Sequence, residues 1–150
     1  MEKIHNPWHK HPDHYCIACE PRNPMCLHME FYRDGENVIS KWSPTKELQG
    51  WMNVLHGGIQ GLLIDEVAAW VVMDRLQVKG VTSKLEVKYL APIHITDGEL
   101  TITGKVLRQR RNLVEIGVTI SKADSTICTT GTAIYFTYNE AQSKNHSEFG

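Results

Sequence analysis

One apolar segment of helix length, residues 58–76, stands between segments that alternate as strands do. Its apolar residues fall at positions 59, 62, 63, 67, 70, 71 and 73, and so wide a stripe predicts a helix that is covered on most sides. No second segment of this kind accompanies it. A single buried helix in a chain otherwise made of strands has to be covered by a sheet.

The strand-like segments set the architecture. Residues 27–33 and 37–42 read as two strands joined by a hairpin turn at Asp34-Gly35. After the helix, four longer segments alternate apolar and polar residues, namely 81–89, 99–107, 113–121 and 127–138, with turns at 95–98, 109–112 and 123–125. The order predicts an α+β fold, an antiparallel sheet of five to six strands wrapped around one long central helix.

Length and charge limit the domain organisation and the partners. We expect a single domain over residues 16–138, with loosely packed polar ends at 1–15 and 139–150. Sixteen Lys and Arg against 17 Asp and Glu give no electrostatic footprint for nucleic acid or an anionic membrane. The N-terminus lacks the apolar core of a signal peptide, and no apolar run reaches membrane-spanning length, so we expect a cytoplasmic protein.

The segment 55–66 carries the strongest chemical signal. Gly57 and Gly58 at the helix entrance leave backbone N–H groups bare at the positive end of the helix dipole, which favours an anion or oxyanion site. Asp65 and Glu66 then interrupt the apolar helix, and a buried carboxylate is costly without a partner. Taken alone, such a glycine pair is common and a helical acid usually faces water.

Several motifs in order resemble one family. His56-Gly57-Gly58 with an acid nine residues after the histidine is similar to the hotdog-fold thioesterases of the phenylacetate-degradation (PaaI-like) type. Further matches are Cys16-x-x-Cys19, Asn23-Pro24, Leu27, Phe31, Gln49-Gly50-Trp51, Leu63-Ile64, Val81-Thr82 and Tyr89-Leu90-Ala91-Pro92. The resemblance spans about residues 16–138. It implies a hotdog fold and an acyl-CoA thioesterase that needs no cofactor.

The resemblance also implies residue roles. Asp65 would be the catalytic carboxylate, either as general base on water or as nucleophile, and the Gly57 N–H would polarise the thioester oxygen. His56 would orient this loop, and Thr82 would contact the water or the carboxylate unless it is only a strand-starting residue. The expected substrate-binding residues are Gly58, Asn53, Ser83, Arg110 and Arg111. Asn53 stands where the related proteins more often have glycine, which puts the shape of that loop in doubt.

Helix geometry adds a constraint that is independent of the family. Gly57 and Asp65 lie eight residues apart, or roughly 12 Å along a helix. Both groups must reach one carbonyl carbon, so a single helix cannot supply them to the same substrate. We therefore expect a homodimer with two shared sites, and such dimers can pair again into a tetramer. Glu66 lies about 100° further round the helix, so at most one of the two acids points into a given site, and the spacing of the family motif favours Asp65 as the catalytic acid.

Three arginines cluster at the turn that follows the second long strand. Arg108, Arg110 and Arg111 could hold the phosphates of coenzyme A, or they could simply be a solvated turn.

The early cysteines and histidines raise the question of zinc. The Cys16-x-x-Cys19 pair could form a tetrahedral site with Cys26, His14 or His28. A second Cys-x-x-Cys pair is missing, however, and Cys26 replaces a residue that is usually glycine in the related proteins. We therefore expect no metal, and expect Cys128 to lie in the core.

Other functional classes are less well supported. Hotdog hydratases resemble a pattern with histidine five residues after a helical Asp or Asn, but Trp70 and Gly58 stand at those positions here. No cysteine lies at a helix start, which disfavours cysteine catalysis. The alternative to a thioesterase is a non-catalytic acyl-CoA-binding hotdog protein, and a zinc-dependent interaction module is third. The sequence does not indicate which acyl group is bound.

Overall fold

A computed structural model of the chain, described here for residues 1–138, confirms the antiparallel sheet around one long helix. The helix α1 spans Gly57–Val71. The strands are β1 Glu2–Lys3, β2 Tyr32–Asp34, β3 Asn37–Trp42, β4 Gly80–Tyr89, β5 Leu100–Arg110, β6 Leu113–Ser121 and β7 Ile127–Thr137. They pair in the order β1-β2-β3-β5-β6-β7-β4, so the sheet has seven strands, because the two-residue β1 adds to the six predicted.

The helix packs against the concave side of the sheet at very short range. Val67 and Val71 face Gly104 on β5, and Ile64 faces Gly131 on β7. A Cβ atom added at Gly131 would lie 2.6 Å from the nearest Ile64 side-chain carbon, so only glycine allows this approach. The wide apolar stripe of the helix is thus buried by sheet, as its pattern predicts.

The helical segment ends at Leu76, as its apolar pattern predicts, but it changes from an α-helix to a π-helix after Val71. Val72–Leu76 forms a wider π-helical turn, and Gln77 ends it with a left-handed backbone at φ 56°. Arg33 in β2 forms an ion pair with the buried Asp74 carboxylate, which ties this turn to the sheet.

One expectation about the N-terminal region is wrong. Of the predicted strand 27–33, only residues from Tyr32 onwards pair in the sheet, because His28 has a left-handed backbone at φ 58° that breaks an extended chain. The first fifteen residues are mostly exposed, but they contact the domain at several points: β1 pairs with β2, Ile4 N–H donates to Phe31 O at 2.9 Å, and His14 is 5% exposed. The predicted tail at 139–150 lies outside the described residues.

Strand β4 forms one edge of the sheet and is exposed along most of its ten residues. It pairs with β7 on one side, and on its other side no strand from residues 1–138 pairs with it. Within residues 1–138, no helix is both long enough and apolar enough to span a membrane.

Candidate active site

His56 caps the start of helix α1. Its Nδ1 accepts a hydrogen bond from Gly58 N–H at 2.8 Å, and its carbonyl accepts one from Gln60 N–H at 3.1 Å. The N–H of Gly58 is therefore engaged within the cap. Gly57 is the first helical residue, whose N–H has no partner within the helix and points out of its positive end. The geometry thus offers the Gly57 N–H to a ligand and uses Gly58 to hold the loop.

Tyr89, at the end of β4, closes over this glycine. Its hydroxyl donates to Gly57 O at 2.7 Å, and a Cβ atom added at Gly57 would lie 3.3 Å from Tyr89 Cζ. Sequence reasoning used Tyr89 only as part of a family motif. The alternation Leu85-x-Val87-x-Tyr89 contained the signal, since it assigns these three side chains to one face of β4.

The Asp65 carboxylate is held by two hydroxyl groups from the sheet. Thr82 Oγ1 and Tyr135 Oη each donate to Asp65 Oδ1 at 2.8 Å, and Tyr135 Oη also lies 2.8 Å from Asp65 O. Burial raises the pKa of Tyr135, so the phenol stays protonated and can donate. Both hydroxyls bind the same oxygen, which leaves Oδ2 as the atom that can receive a proton.

Glu66 points away from Asp65, as the 100° step between neighbouring helical residues requires. It accepts a hydrogen bond from Trp70 Nε1 at 3.0 Å, and its Oε2 lies 3.5 Å from Cys16 Sγ. Burial raises the pKa of Glu66 to about 8. The two neighbouring acids therefore face different surroundings, and only Asp65 lies against the exposed edge strand.

Asn53 shapes the loop that leads into the helix. Its backbone has φ 61°, and after glycine asparagine is among the residues that tolerate this conformation best. Its N–H donates to Gln49 Oε1 at 3.0 Å and its carbonyl accepts from Ile95 N–H at 2.9 Å. The replacement of the family's glycine therefore leaves the loop intact. The structure connects Asn53 to neighbouring loops and not to Asp65.

Ser83 and the arginines lie around the Asp65 end of the sheet. The pairing of β4 with β7 shifts between Thr82 and Lys84, so Ser83 sits in a bulge beside Thr82. Arg110 ends β5, in the same row across the sheet as Val81, with β6 and β7 between them. Arg110 and Val81 are therefore three strand spacings apart across the sheet, or about 14 Å. Arg108 forms a salt bridge with Glu115 at 2.9 Å.

The cysteine group differs from the one considered from sequence. Cys16 Sγ, Cys19 Sγ and a Glu66 carboxylate oxygen lie within 4.8 Å of one another, whereas Cys26 and His28 are outside this group. A hydrogen bond from Cys19 lowers the pKa of Cys16 to about 5 and raises that of Cys19. Glu66, fifty residues further along the chain, was not among the residues considered for this site.

Comparison with known proteins decides the family. Residues 52–129, more than half of the chain, match the sequence model of the thioesterase superfamily. The chain belongs to the thioesterase superfamily. A Saccharolobus solfataricus protein described as a candidate esterase is 26% identical over 92 residues, which cover 61% of this chain and 60% of that relative. This chain thus spans less than two thirds of the length of that relative.

Solved thioesterase structures support the hotdog fold. One, described as a thioesterase superfamily protein, has a TM-score of 0.74 at 23% identity, covering 81% of this chain and 62% of that one. A hypothetical thioesterase from Streptococcus pneumoniae TIGR4, solved with coenzyme A, has a TM-score of 0.68 at 22% identity, covering 74% and 89%. At these identities the likeness concerns the fold alone.

Proposed function

We propose that this thioesterase superfamily member is an acyl-CoA thioesterase of the PaaI-like type, which hydrolyses small or medium-sized acyl-CoA, aromatic acyl groups included, to the free acid and coenzyme A. One observation carries the proposal. Thr82 and Tyr135 hold the Asp65 carboxylate at the exposed edge of the sheet. The same helix begins at Gly57, which presents an N–H donor.

The reaction follows from these two groups. Asp65 Oδ2 takes a proton from water, and the water oxygen attacks the thioester carbon while the carbonyl oxygen gains negative charge. The Gly57 N–H and the helix dipole stabilise this oxyanion. When the intermediate collapses, the C–S bond breaks, and the departing thiolate takes up the proton that Asp65 holds. No cofactor is needed.

Asp65 can also act as the nucleophile through the same geometry, and trapping of the acyl-enzyme separates the two routes where oxygen labelling does not. In a single turnover in H₂¹⁸O, an acyl-aspartate intermediate hydrolysed at its acyl carbon places ¹⁸O in the acid only, as the general-base route does. Attack on the Asp65 carbon instead labels Asp65. Rapid acid quench followed by a search for an acylated Asp65 peptide distinguishes the two mechanisms. Its detection supports Asp65 as nucleophile, and its absence during the burst supports Asp65 as general base.

The two groups are too far apart to act within one copy. Eight residues of helix separate Gly57 from Asp65 by about 12 Å. An oxyanion donor and a base must each lie about 3 Å from the reacting groups. We therefore assign each site to two copies of the chain, with Asp65 from one copy and Gly57 from the other.

The exposed edge strand supplies the surface for such a dimer. The β4 side chains that face the helix layer include Leu85 and Tyr89, which are 37% and 55% exposed although both are apolar or aromatic. An antiparallel pairing of β4 with its copy would continue the sheet and satisfy the edge. If this pairing is centred on Leu85, Lys84 lies opposite Glu86 of the second copy, and the Tyr89 end meets the Thr82 end.

The remaining residues fit recognition of coenzyme A. Arg110 and Arg111 are exposed at the sheet end that holds Asp65, and an arginine pair suits phosphate groups there. We assign Ser83 and the Asn53 side chain to the rim of the site, and Gly58 to its cap. The coenzyme A complex of the Streptococcus pneumoniae relative supports this ligand class by analogy of fold.

The test is thioester hydrolysis over a panel from acetyl-CoA through octanoyl-CoA to phenylacetyl-CoA and benzoyl-CoA, read as free thiol. Turnover that disappears in Asp65→Asn supports the proposal. The matched control is Asp34→Asn, which makes the same chemical change at an exposed residue at the end of β2, beside the hairpin turn. Absence of turnover on every member, with acyl-CoA binding retained, would instead establish the non-catalytic binding protein.

A further inference from the structure

A group of metal-ligating side chains lies behind the active-site helix and takes no part in the proposed reaction. Cys16 Sγ, Cys19 Sγ and a Glu66 carboxylate oxygen lie within 4.8 Å of one another. From these three ligands we infer a zinc site that joins the N-terminal segment to helix α1. This reverses the expectation from sequence, because the glutamate that completes the group is distant in the chain and invisible to cysteine spacing.

The separations suit a tetrahedral ion. Zinc binds sulfur at about 2.3 Å and carboxylate oxygen at about 2.0 Å, so two such ligands on a tetrahedral ion lie about 3.5 Å apart. Cys16 Sγ lies 3.5 Å from Glu66 Oε2. Two thiolates and a carboxylate also favour zinc over magnesium or calcium, because those two ions bind oxygen ligands only.

The backbone around Cys16 is arranged to support a thiolate. Ala18 N–H donates to Cys16 Sγ at 3.4 Å, and Glu20 N–H donates to Cys16 O at 3.0 Å, which closes a turn over the Cys-x-x-Cys segment. Such a turn directs both sulfur atoms to the same side and gives the first sulfur an N–H donor. Hydrogen bonds of this kind orient ligands and favour their deprotonated, metal-binding form.

There is room beside the group for the ion and a fourth ligand. The lining of a cavity of about 130 Å³ includes the three ligands, Asn6, His14, Trp70 and Lys79. The Asn6 amide nitrogen lies 3.1 Å from His14 Nε2 and 3.8 Å from Cys19 Sγ. This amide therefore separates the histidine ring from the ligand group, and a water molecule in the cavity can complete four-fold coordination. Trp70 Nε1 donates to Glu66 at 3.0 Å and orients its carboxylate.

The position gives the site a structural role. Few of residues 4–31 belong to regular secondary structure, so a metal crosslink from Cys16 to Glu66 would fix a long segment at a single point. That point is the residue beside Asp65. The inference does not depend on the hydrolase proposal, since none of the three ligands touches the proposed reacting atoms.

The experiment uses the full chain, reduced and freed of metal by a chelator, then titrated with Zn²⁺ against a chromophoric competitor. We expect one equivalent of Zn²⁺ per chain. Cys16→Ser and Cys19→Ser should each weaken binding by at least about a hundredfold, and Glu66→Gln by about tenfold or more. Cys26→Ser is the matched control, since it removes a thiol of the same segment that lies outside the group, and it should leave the affinity unchanged.

A second measurement needs no variant to fold. Co²⁺ added to the metal-free wild-type chain should give the thiolate charge-transfer absorption and the intense d–d bands of a tetrahedral site. Three results would overturn the inference: no Zn²⁺ bound by the reduced chain, Co²⁺ bound without a thiolate band, or equal losses from Cys26→Ser and Cys16→Ser. Mass spectrometry can detect a Cys16–Cys19 disulfide in the purified chain. If the chain still fails to bind Zn²⁺ after this disulfide is reduced, the inference is overturned.

Discussion

Replacing Gly57 with proline removes one N–H group from the proposed oxyanion site and changes little else. Proline is well tolerated at the first position of a helix, which Gly57 occupies. His56, the residue before it, has φ −57° and ψ 134°, the extended conformation that a residue preceding proline adopts. The Gly57→Pro chain should therefore fold, with its cap intact and without the donor.

The expected loss follows from the role of that donor. Removal of one preorganised oxyanion donor costs about 10²–10³ in kcat, or about 2.7–4 kcal/mol of transition-state stabilisation. The KM should change little, because the oxygen carries its full charge only in the transition state. Acyl-CoA hydrolysis at saturating substrate measures the effect, and thermal unfolding verifies that the variant is folded.

Gly57→Ala is the control, because it adds a Cβ atom but keeps the N–H. That Cβ atom would lie 3.3 Å from Tyr89 Cζ and Oη, a contact that the exposed ring can relieve by moving slightly. The ratio of the alanine to the proline rate therefore removes the effect of the Cβ atom and reports the loss of the N–H together with the added Cγ and Cδ atoms of the proline ring. Equal kcat values for the two variants would refute the assignment of Gly57 N–H as the oxyanion donor.

Further predictions concern the groups around the carboxylate and the sheet edge. Tyr135→Phe and Thr82→Val each remove one donor to Asp65 Oδ1, and each should lower kcat about tenfold or more, since a hydrogen bond to a charged group contributes about 1.5–3 kcal/mol; steady-state kinetics measures this. Gln60→Leu leaves the buried Leu55 carbonyl and the buried Thr129 hydroxyl without their partner, so it should lower the free energy of unfolding by about 1–3 kcal/mol. Urea denaturation measures this change, and an unchanged midpoint would contradict the packing described. Leu85→Lys places a charge in the proposed dimer surface, so sedimentation should show monomers, and an unchanged dimer would exclude β4 from the interface.

The fold could be predicted because its signals are local and periodic. The apolar stripe predicts the helix. The predicted bounds of β6 match the observed Leu113–Ser121, because its apolar and polar residues alternate between two turns. The prediction of a strand over residues 27–33 was wrong for residues 27–31, because His28 adopts a left-handed backbone that its residue type does not indicate. The two-residue β1 is too short to show any alternation at all.

The candidate site could be predicted only as far as its chain-local motif extends. His56, Gly57 and Asp65 lie in one short motif, and the resemblance to the PaaI-like thioesterases implies their roles and that of Thr82. Tyr135 lies seventy residues beyond Asp65, and its hydroxyl arrives there only through the pairing of β7 with β4. Such contacts depend on tertiary register, which sequence periodicity alone does not specify.

The same limit explains the cysteine group. Cysteine spacing directed attention to Cys26 and His28, which lie close in sequence, whereas the partner in the structure is Glu66 on the helix. The step of about 100° between Asp65 and Glu66 sends one acid to the sheet edge and the other to the N-terminal segment. The sequence shows the pair, and only the fold separates its members.

The claim that each active site is shared between two copies is tested most directly by mixing two inactive variants. Asp65→Asn and Gly57→Pro chains, carrying different affinity tags, are co-expressed, and the mixed dimer is purified through both tags. In that dimer one site combines both defects, while the other combines an intact Asp65 with an intact Gly57. The account predicts that the mixed dimer recovers about half of the wild-type activity per dimer. A mixed dimer as inactive as its two parents would show that both groups act within one chain, which would contradict the account.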